Sequence, residues 1–234
     1  MIKRKVDFMN EKTLNLKLND VYLKYHPNGK VIPGGIMDDG KYNLSNRKTM
    51  MLMKEVNDKS EKYNWSLPGL LSSIYKKECT YHRMWKNVSR WSICVENPDV
   101  SFEDINESSL YEGLKLFATT NLKKSGGVGE SNYNEILEQA ISNKDEWMEE
   151  VEILDPMIVI CTGTFDIVKD IMETDGLIKT CKSGARYYIY KDRIYLDFVH
   201  PAYQVSDKLM FAYFKETFRS LISSEEIKKL INLS

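Results

Sequence analysis

The chain has 234 residues, 33 Lys and Arg against 34 Asp and Glu, and a formal net charge of −1 at pH 7. With 42% apolar residues it carries enough hydrophobic side chain to pack a core, which excludes a disordered polyelectrolyte. Near-neutral charge leaves nucleic acid open as a partner, because a local basic groove is enough to neutralise phosphates.

The first 45 residues read as a helix followed by an irregular connection. Leu14, Leu18, Val21, Tyr22 and Tyr25 share one helical face, and "HPNGKVIPGG" supplies turn residues. This stretch is expected to be an N-terminal extension or flap on a single domain spanning 1–234. In "KTMMLMKEVND", Met50 to Met53 are continuously apolar and polar residues then begin abruptly, as where a central strand meets its loop. After a loop with Tyr63 and Trp65, "LPGLLSSIYKK" and "TYHRMWKNVSRWSICV" have helical spacing.

"LKLFATTNLKKSGG" predicts a second strand that stops at Asn121 and enters a Gly-rich loop. Residues 131–154 read as one amphipathic helix ended by Asp155-Pro156, with Ile136, Leu137, Ala140, Trp147, Val151 and Leu154 apolar. "MIVICTG" is a third buried strand and "TFDIVKDIME" a crossover helix. "RYYIYKDRIYLDFVHP" then reads as a hairpin turning at Lys191-Asp192 and leading to His200. Two helices close the chain, with Ser206 and Ser223 as expected caps.

Alternating buried strands and helices predict an α/β fold, a three-layer α/β/α sandwich around a mostly parallel sheet. Ligands of such sheets bind beyond the carboxyl ends of the strands. The polar groups to watch therefore follow each strand: Lys54, Glu55, Asn57 and Asp58; Asn121, Lys123 and Lys124; Thr162 and Thr164; and His200.

Asn121 has a fixed donor and acceptor pair suited to the edge of a pyrimidine ring, although asparagine also simply pins turns. His200 suits either a strand-end hydrogen bond or assistance to an anionic leaving group. Glu55 is an ordinary carboxylate taken singly; in a crevice it suits orienting water or stabilising positive charge on a sugar. "KKSGGVGES" lacks the spacing of a Walker loop. Its Lys123, Lys124 and Ser125, with glycine amides and Thr164 at the same edge, suit a grip on a DNA backbone. Trp65, Tyr63 and Tyr203 lie off the apolar stripes, as a stacking platform for an extruded base would.

The three histidines are scattered and no H-E-x-x-H or paired-cysteine motif occurs, so neither metal nor cofactor is expected. No G-x-S-x-G elbow supports a serine hydrolase. Four cysteines without C-x-x-C spacing, a basic start without an apolar h-region and no span-length stretch predict a soluble protein of the reducing cytoplasm.

The ordered set "MMLMKEVND", "LFATTNLKKS", "NKDEWMEEVEILDPMIVICTGT" and "DFVHPAY" resembles the uracil-DNA glycosylase superfamily over about residues 48 to 215. The resemblance implies that Asn121 reads the base and that His200 stabilises the departing base's oxygen. Trp65, or Tyr63, would stack on the base. Ala202 to Val205 would form the minor-groove loop, with Tyr203 or Gln204 as the wedge. Familiar members carry Gly-Gln-Asp-Pro-Tyr-His or Gly-x-Asn-Pro-Gly as the first motif. Here Met53-Lys54-Glu55-Val56-Asn57 stands instead, with Glu55 at the position of the water-activating aspartate and Asn57 beside it. Ala202-Tyr203 replaces the usual Ser-Pro after His-Pro.

These departures point to uracil or a modified pyrimidine as the excised base; glycosylases of this superfamily that act on phage DNA are the comparison. The expected protein is a monomeric DNA glycosylase with DNA as its partner, working by base flipping in repair or phage defence. The rivals are an inert recognition module of the same fold and a nucleoside hydrolase.

Overall fold

The computed structural model describes residues 13–25, 31–60, 64–127 and 131–233. Helix α1 (Leu14–Tyr22) is followed by β1 (Gly35–Ile36), α2 (Asp39–Asn43), β2 (Thr49–Met53) and β3 (Val56–Asn57). Next come α3 (Leu67–Tyr75), α4 (Arg83–Glu96), α5 (Glu107–Gly113), β4 (Phe117–Asn121) and β5 (Gly126–Gly127). After them lie α6 (Tyr133–Ser142), α7 (Lys144–Leu154), β6 (Ile158–Thr162), α8 (Phe165–Ile171) and β7 (Lys179–Thr180). The chain ends through β8 (Arg186–Tyr190), β9 (Arg193–Phe198), α9 (Asp207–Ile222) and α10 (Glu225–Leu233).

The main sheet has seven strands in the order β1-β4-β2-β6-β9-β8-β7. Strands β4, β2, β6 and β9 are mutually parallel, and the pairings at both margins are antiparallel. Every residue of β2, β4 and β6 is buried, which is why "TMMLM" and "IVICT" are almost unbroken apolar runs. The period-two alternation divides them between two cores. Met50 and Leu52 join α1, α6, α7 and α8 on one face; Met51 and Met53 join α3, α4, α9 and α10 on the other. The expected mixed α/β class with a mostly parallel central sheet is present, and helices cover both of its faces.

Local chemistry sets several boundaries. Ser66 and Ser206 accept hydrogen bonds from Gly69 and Leu209 and so cap α3 and α9. Lys191 and Asp192 both have positive φ, as the tight turn of the β8–β9 hairpin requires. Ser223 is the C-cap of α9; Ser224 precedes α10. The single helix expected over 131–154 is two. Asn143 leaves helical geometry at φ −117°, and its side-chain amide donates to the Gln139 carbonyl at 2.7 Å, giving the backbone an alternative to the helix ladder.

The described part of residues 1–45 is built into the core, which corrects the expectation of a flap. Leu18, Val21, Tyr22 and Tyr25 are buried in one core with α7, and β1 extends the sheet. The anchor is Glu150 of α7, which is fully buried. Its carboxylate accepts from Tyr22 at 3.1 Å, from Thr120 at 2.7 Å, from Lys124 at 2.7 and 2.8 Å, and from Tyr25. Burial and the neighbouring Glu150 charge raise both tyrosine hydroxyls far above ordinary phenols, so they serve as donors. Burial lowers the affinity of Lys124 for its proton, and Glu150 pulls the other way.

A buried charge left alone is far costlier than a paired one. Glu150→Ala, which strands Lys124, should lower unfolding free energy by about 3–5 kcal/mol in urea titrations. Tyr25→Phe, which leaves the pair intact, should cost about 1–2 kcal/mol.

Candidate functional site

The connections leave β2 in opposite directions, toward β4 on one side and β6 on the other. A reversal of this kind opens a crevice beyond the carboxyl ends of the strands. Four expected positions meet there. Met53 lies opposite Asn121 in the β2–β4 register, Lys54 and Glu55 follow Met53, Thr162 lies opposite Phe198 in the β6–β9 register, and His200 follows Phe198 by two residues.

Asn121 is the last residue of β4 and only 2% exposed. Its side-chain Nδ2 is buried without a hydrogen-bond partner. Buried donors are nearly always satisfied, so an orphan at a sheet edge marks a place where a ligand acceptor belongs.

His200 stands on a β-turn in which its carbonyl accepts from Tyr203 N–H at 2.9 Å, with Pro201 at the position that proline favours. The Ala202 N–H donates to His200 Nδ1 at 3.2 Å. That bond assigns the proton of the neutral ring to Nε2, which becomes a donor. Burial, and then the positive charge of Lys54, lower the proton affinity of the imidazole below the ordinary histidine value. The turn is held from behind: Asn87 Nδ2 donates to the Pro201 carbonyl at 2.9 Å, and Arg90 links Asn87 to Asp207 at 2.9 and 3.0 Å.

Glu55 is turned inward. Its side chain is 5% exposed and pairs at 2.7 Å with Lys123, itself 4% exposed, which also holds Glu135 at 2.7 Å. Burial opposes the charge on Lys123, and hydrogen bonds to Glu135 and Glu55 outweigh it, so the ammonium titrates above an ordinary lysine. Two carboxylates around one ammonium leave the cluster net negative. Gly127 makes room for it, since a Cβ there would lie 2.1 Å from a Glu55 carboxylate oxygen. The small β3–β5 ribbon, which pairs Val56 with Gly126 and Asn57 with Gly127, sets that close approach.

The expected DNA grip is corrected at three residues. Lys124 is buried against Glu150, Lys123 is committed to two carboxylates, and Thr164 is fully buried with its hydroxyl donating to the Leu52 carbonyl at 3.0 Å. None presents a free group to a phosphate. Ser125 is half-buried and accepts from Gln139 at 3.4 Å. Trp65 packs against the core on one side, and its indole N–H donates to Asp58 at 2.9 Å, which fixes the ring near the first motif. Asn57, Tyr203 and Gln204 are exposed, with Tyr203 at 61%. Tyr63 lies outside the described residues.

Asn87, Arg90 and Asp207 escaped the sequence reading because they look like ordinary polar positions of two amphipathic helices. Only the fold carries them under the His200 turn. A second concavity of about 670 Å³ lies at the opposite, amino-terminal edge of the sheet, lined by Lys48, Asp155, Lys191 and Arg193. Its cations pair with nearby carboxylates, Lys48 with Asp155 and Arg193 with Glu152 and Asp155, so the chemistry stays with the carboxyl-terminal crevice. No protein-family model matches the chain, and no curated protein matches it.

The lowered proton affinity of His200 makes a pH-dependent contribution to stability. A group with a depressed folded-state pKa contributes fully above its unfolded value, about 6.5 for histidine, and loses the contribution as pH falls through the folded value. Denaturation midpoints should therefore fall more steeply in wild type than in His200→Gln as pH drops below about 6.5, and His200 should titrate below free histidine by NMR.

Proposed function

We propose that the chain is a DNA glycosylase that hydrolyses the N-glycosidic bond of uracil or a modified pyrimidine and leaves an abasic site. The observation that carries this reading is the pair of unspent donors at one crevice: the buried, unpartnered amide of Asn121 and the Nε2–H of a neutral His200. A flipped pyrimidine offers ring-edge acceptors to the first and a carbonyl oxygen to the second. The strand order and the sequence order of these residues support a divergent member of the uracil-DNA glycosylase superfamily.

On this reading Trp65 stacks on the base, and the exposed Tyr203 and Gln204 enter the duplex as it bends. Water adds to C1′ while the C1′–N1 bond breaks and its electron pair leaves with the base. Glu55, in a net-negative cluster, stabilises the positive sugar, and His200 hydrogen-bonds the base oxygen. Four free thiols suit a cytoplasmic setting, and the protein acts on DNA as a monomer.

One observation favours the rival, recognition without cleavage: the Glu55 carboxylate is already engaged by Lys123. The two readings part in a single assay. Duplexes and single strands carrying uracil, hydroxymethylcytosine, its glucosylated forms or unmodified bases are incubated with the protein, and alkali reveals abasic sites.

Cleavage at one base should fall about 10²-fold or more in His200→Ala and in Asn121→Ala. Glu55→Gln should lose it as well. Gly127→Ala, whose new methyl displaces the Glu55 carboxylate, should match Glu55→Gln in rate while keeping its fold. Binding to DNA without abasic sites on any substrate selects recognition.

A further inference from the structure

Lys54 occupies the centre of the crevice, at the strand end where the connections diverge. Its side chain lies over the turn after β6. A Cβ placed on Gly163, at φ +74°, would sit 3.2 Å from Lys54 Cε and 3.7 Å from Nζ. His200 feels its charge from the neighbouring strand end. The carboxylates on the flanking elements are already taken: Glu55 by Lys123 at 2.7 Å and Asp197 by Arg186 at 2.7 Å. Among the described residues Lys54 has no ion-pair partner. A cation without a counter-ion beside a neutral N–H donor favours an anionic ligand.

We propose that Lys54 and His200 together form a subsite for a pyrimidine in its ring-deprotonated, anionic form. The proposal rests on the pyrimidine reading above and adds a residue and a charge state to it. When the C1′–N1 bond breaks, its electron pair stays on N1 and spreads to the ring oxygens. The His200 Nε2–H hydrogen-bonds one oxygen, and the Lys54 ammonium balances the charge. The water that replaces the base at C1′ releases a proton, which finally neutralises the ring. The same lysine charge that keeps His200 unprotonated is then the charge that meets the leaving group.

The test is calorimetric titration of free 5-fluorouracil, whose ring N–H ionises in mildly alkaline solution, into the full chain as wild type, Lys54→Met and Lys54→Arg. The pH runs from about 6.5, where histidine is losing its proton, to about 9.5, where an ordinary lysine keeps its own. Wild-type affinity should rise about tenfold as the ligand ionises, and Lys54→Arg should keep most of that rise. Lys54→Met should bind the neutral form within about twofold of wild type and show no rise. Such a split separates a charge role from a structural one, which would weaken both forms alike.

A pH-independent wild type, or a rise that survives in Lys54→Met, overturns the role of Lys54. No binding of either form by wild type overturns the pyrimidine reading along with it. A Lys54-dependent rise in a protein that makes no abasic sites keeps the subsite and overturns only hydrolysis.

Discussion

The buried carboxylate of Glu150 is the constraint on which the rest of the architecture depends. Taking a carboxylate and an ammonium out of water is expensive, and the expense is recovered only if every lone pair and proton finds a partner. Here the partners come from four separate places: Tyr22 and Tyr25 near α1, Thr120 in β4, Lys124 after it, and α7 itself. The cluster therefore fixes relative positions that hydrophobic packing alone would leave free to slide, because apolar contact is not directional. The N-terminal helix belongs to the fold for this reason, and the strand end that carries Asn121 is held from both sides of it in sequence.

Two adjacent lysines show how such a constraint reaches the crevice. Beyond the end of β4, successive side chains diverge, so when Lys124 turns into the core toward Glu150, Lys123 turns toward the crevice and meets Glu55 and Glu135. One charge is spent on architecture and the other on orienting a carboxylate. The backbone between the neighbouring loops is tied as well, with Leu122 and Lys123 N–H donating to the Met53 and Lys54 carbonyls at 2.9 Å. The first motif and the Asn121 loop thus move as one body.

Much of this was legible in the sequence. The runs at Met50 to Met53 and Ile158 to Thr162 announced strands buried on both faces, and their abrupt polar endings located the crevice, because hydrophobic continuity directly reflects a double-sided environment. Partner choice was not legible. Nothing in "NLKKS" says that one lysine is structural and the other bridges two carboxylates, since both outcomes depend on residues 26 and 68 positions away along the chain. The break at Asn143 was masked by an apolar periodicity that continues across it. The support under His200 was hidden for the same reason as the lysine pairing: Asn87 and Pro201 are 114 residues apart.

The crevice also has an internal electrostatic logic. An imidazole that is to donate from Nε2 must stay neutral, and it does so because burial and Lys54 both oppose a second proton. Had a carboxylate stood where Lys54 stands, the ring would be drawn toward the imidazolium and the pair would be self-neutralised, with nothing left for an incoming anion. Glu55, the nearest carboxylate in sequence, is kept from that part by Lys123 and by the space that Gly127 leaves for it. The Glu55–Lys123 pair, which looks at first like a catalyst disarmed, is thus what keeps Lys54 uncompensated. Negative charge is held on the β3–β5 side of the crevice and positive charge on the β6–β9 side. A glycosidic bond that breaks into a cationic sugar and an anionic base separates charge, and an environment already divided in that sense needs no reorganisation to receive it.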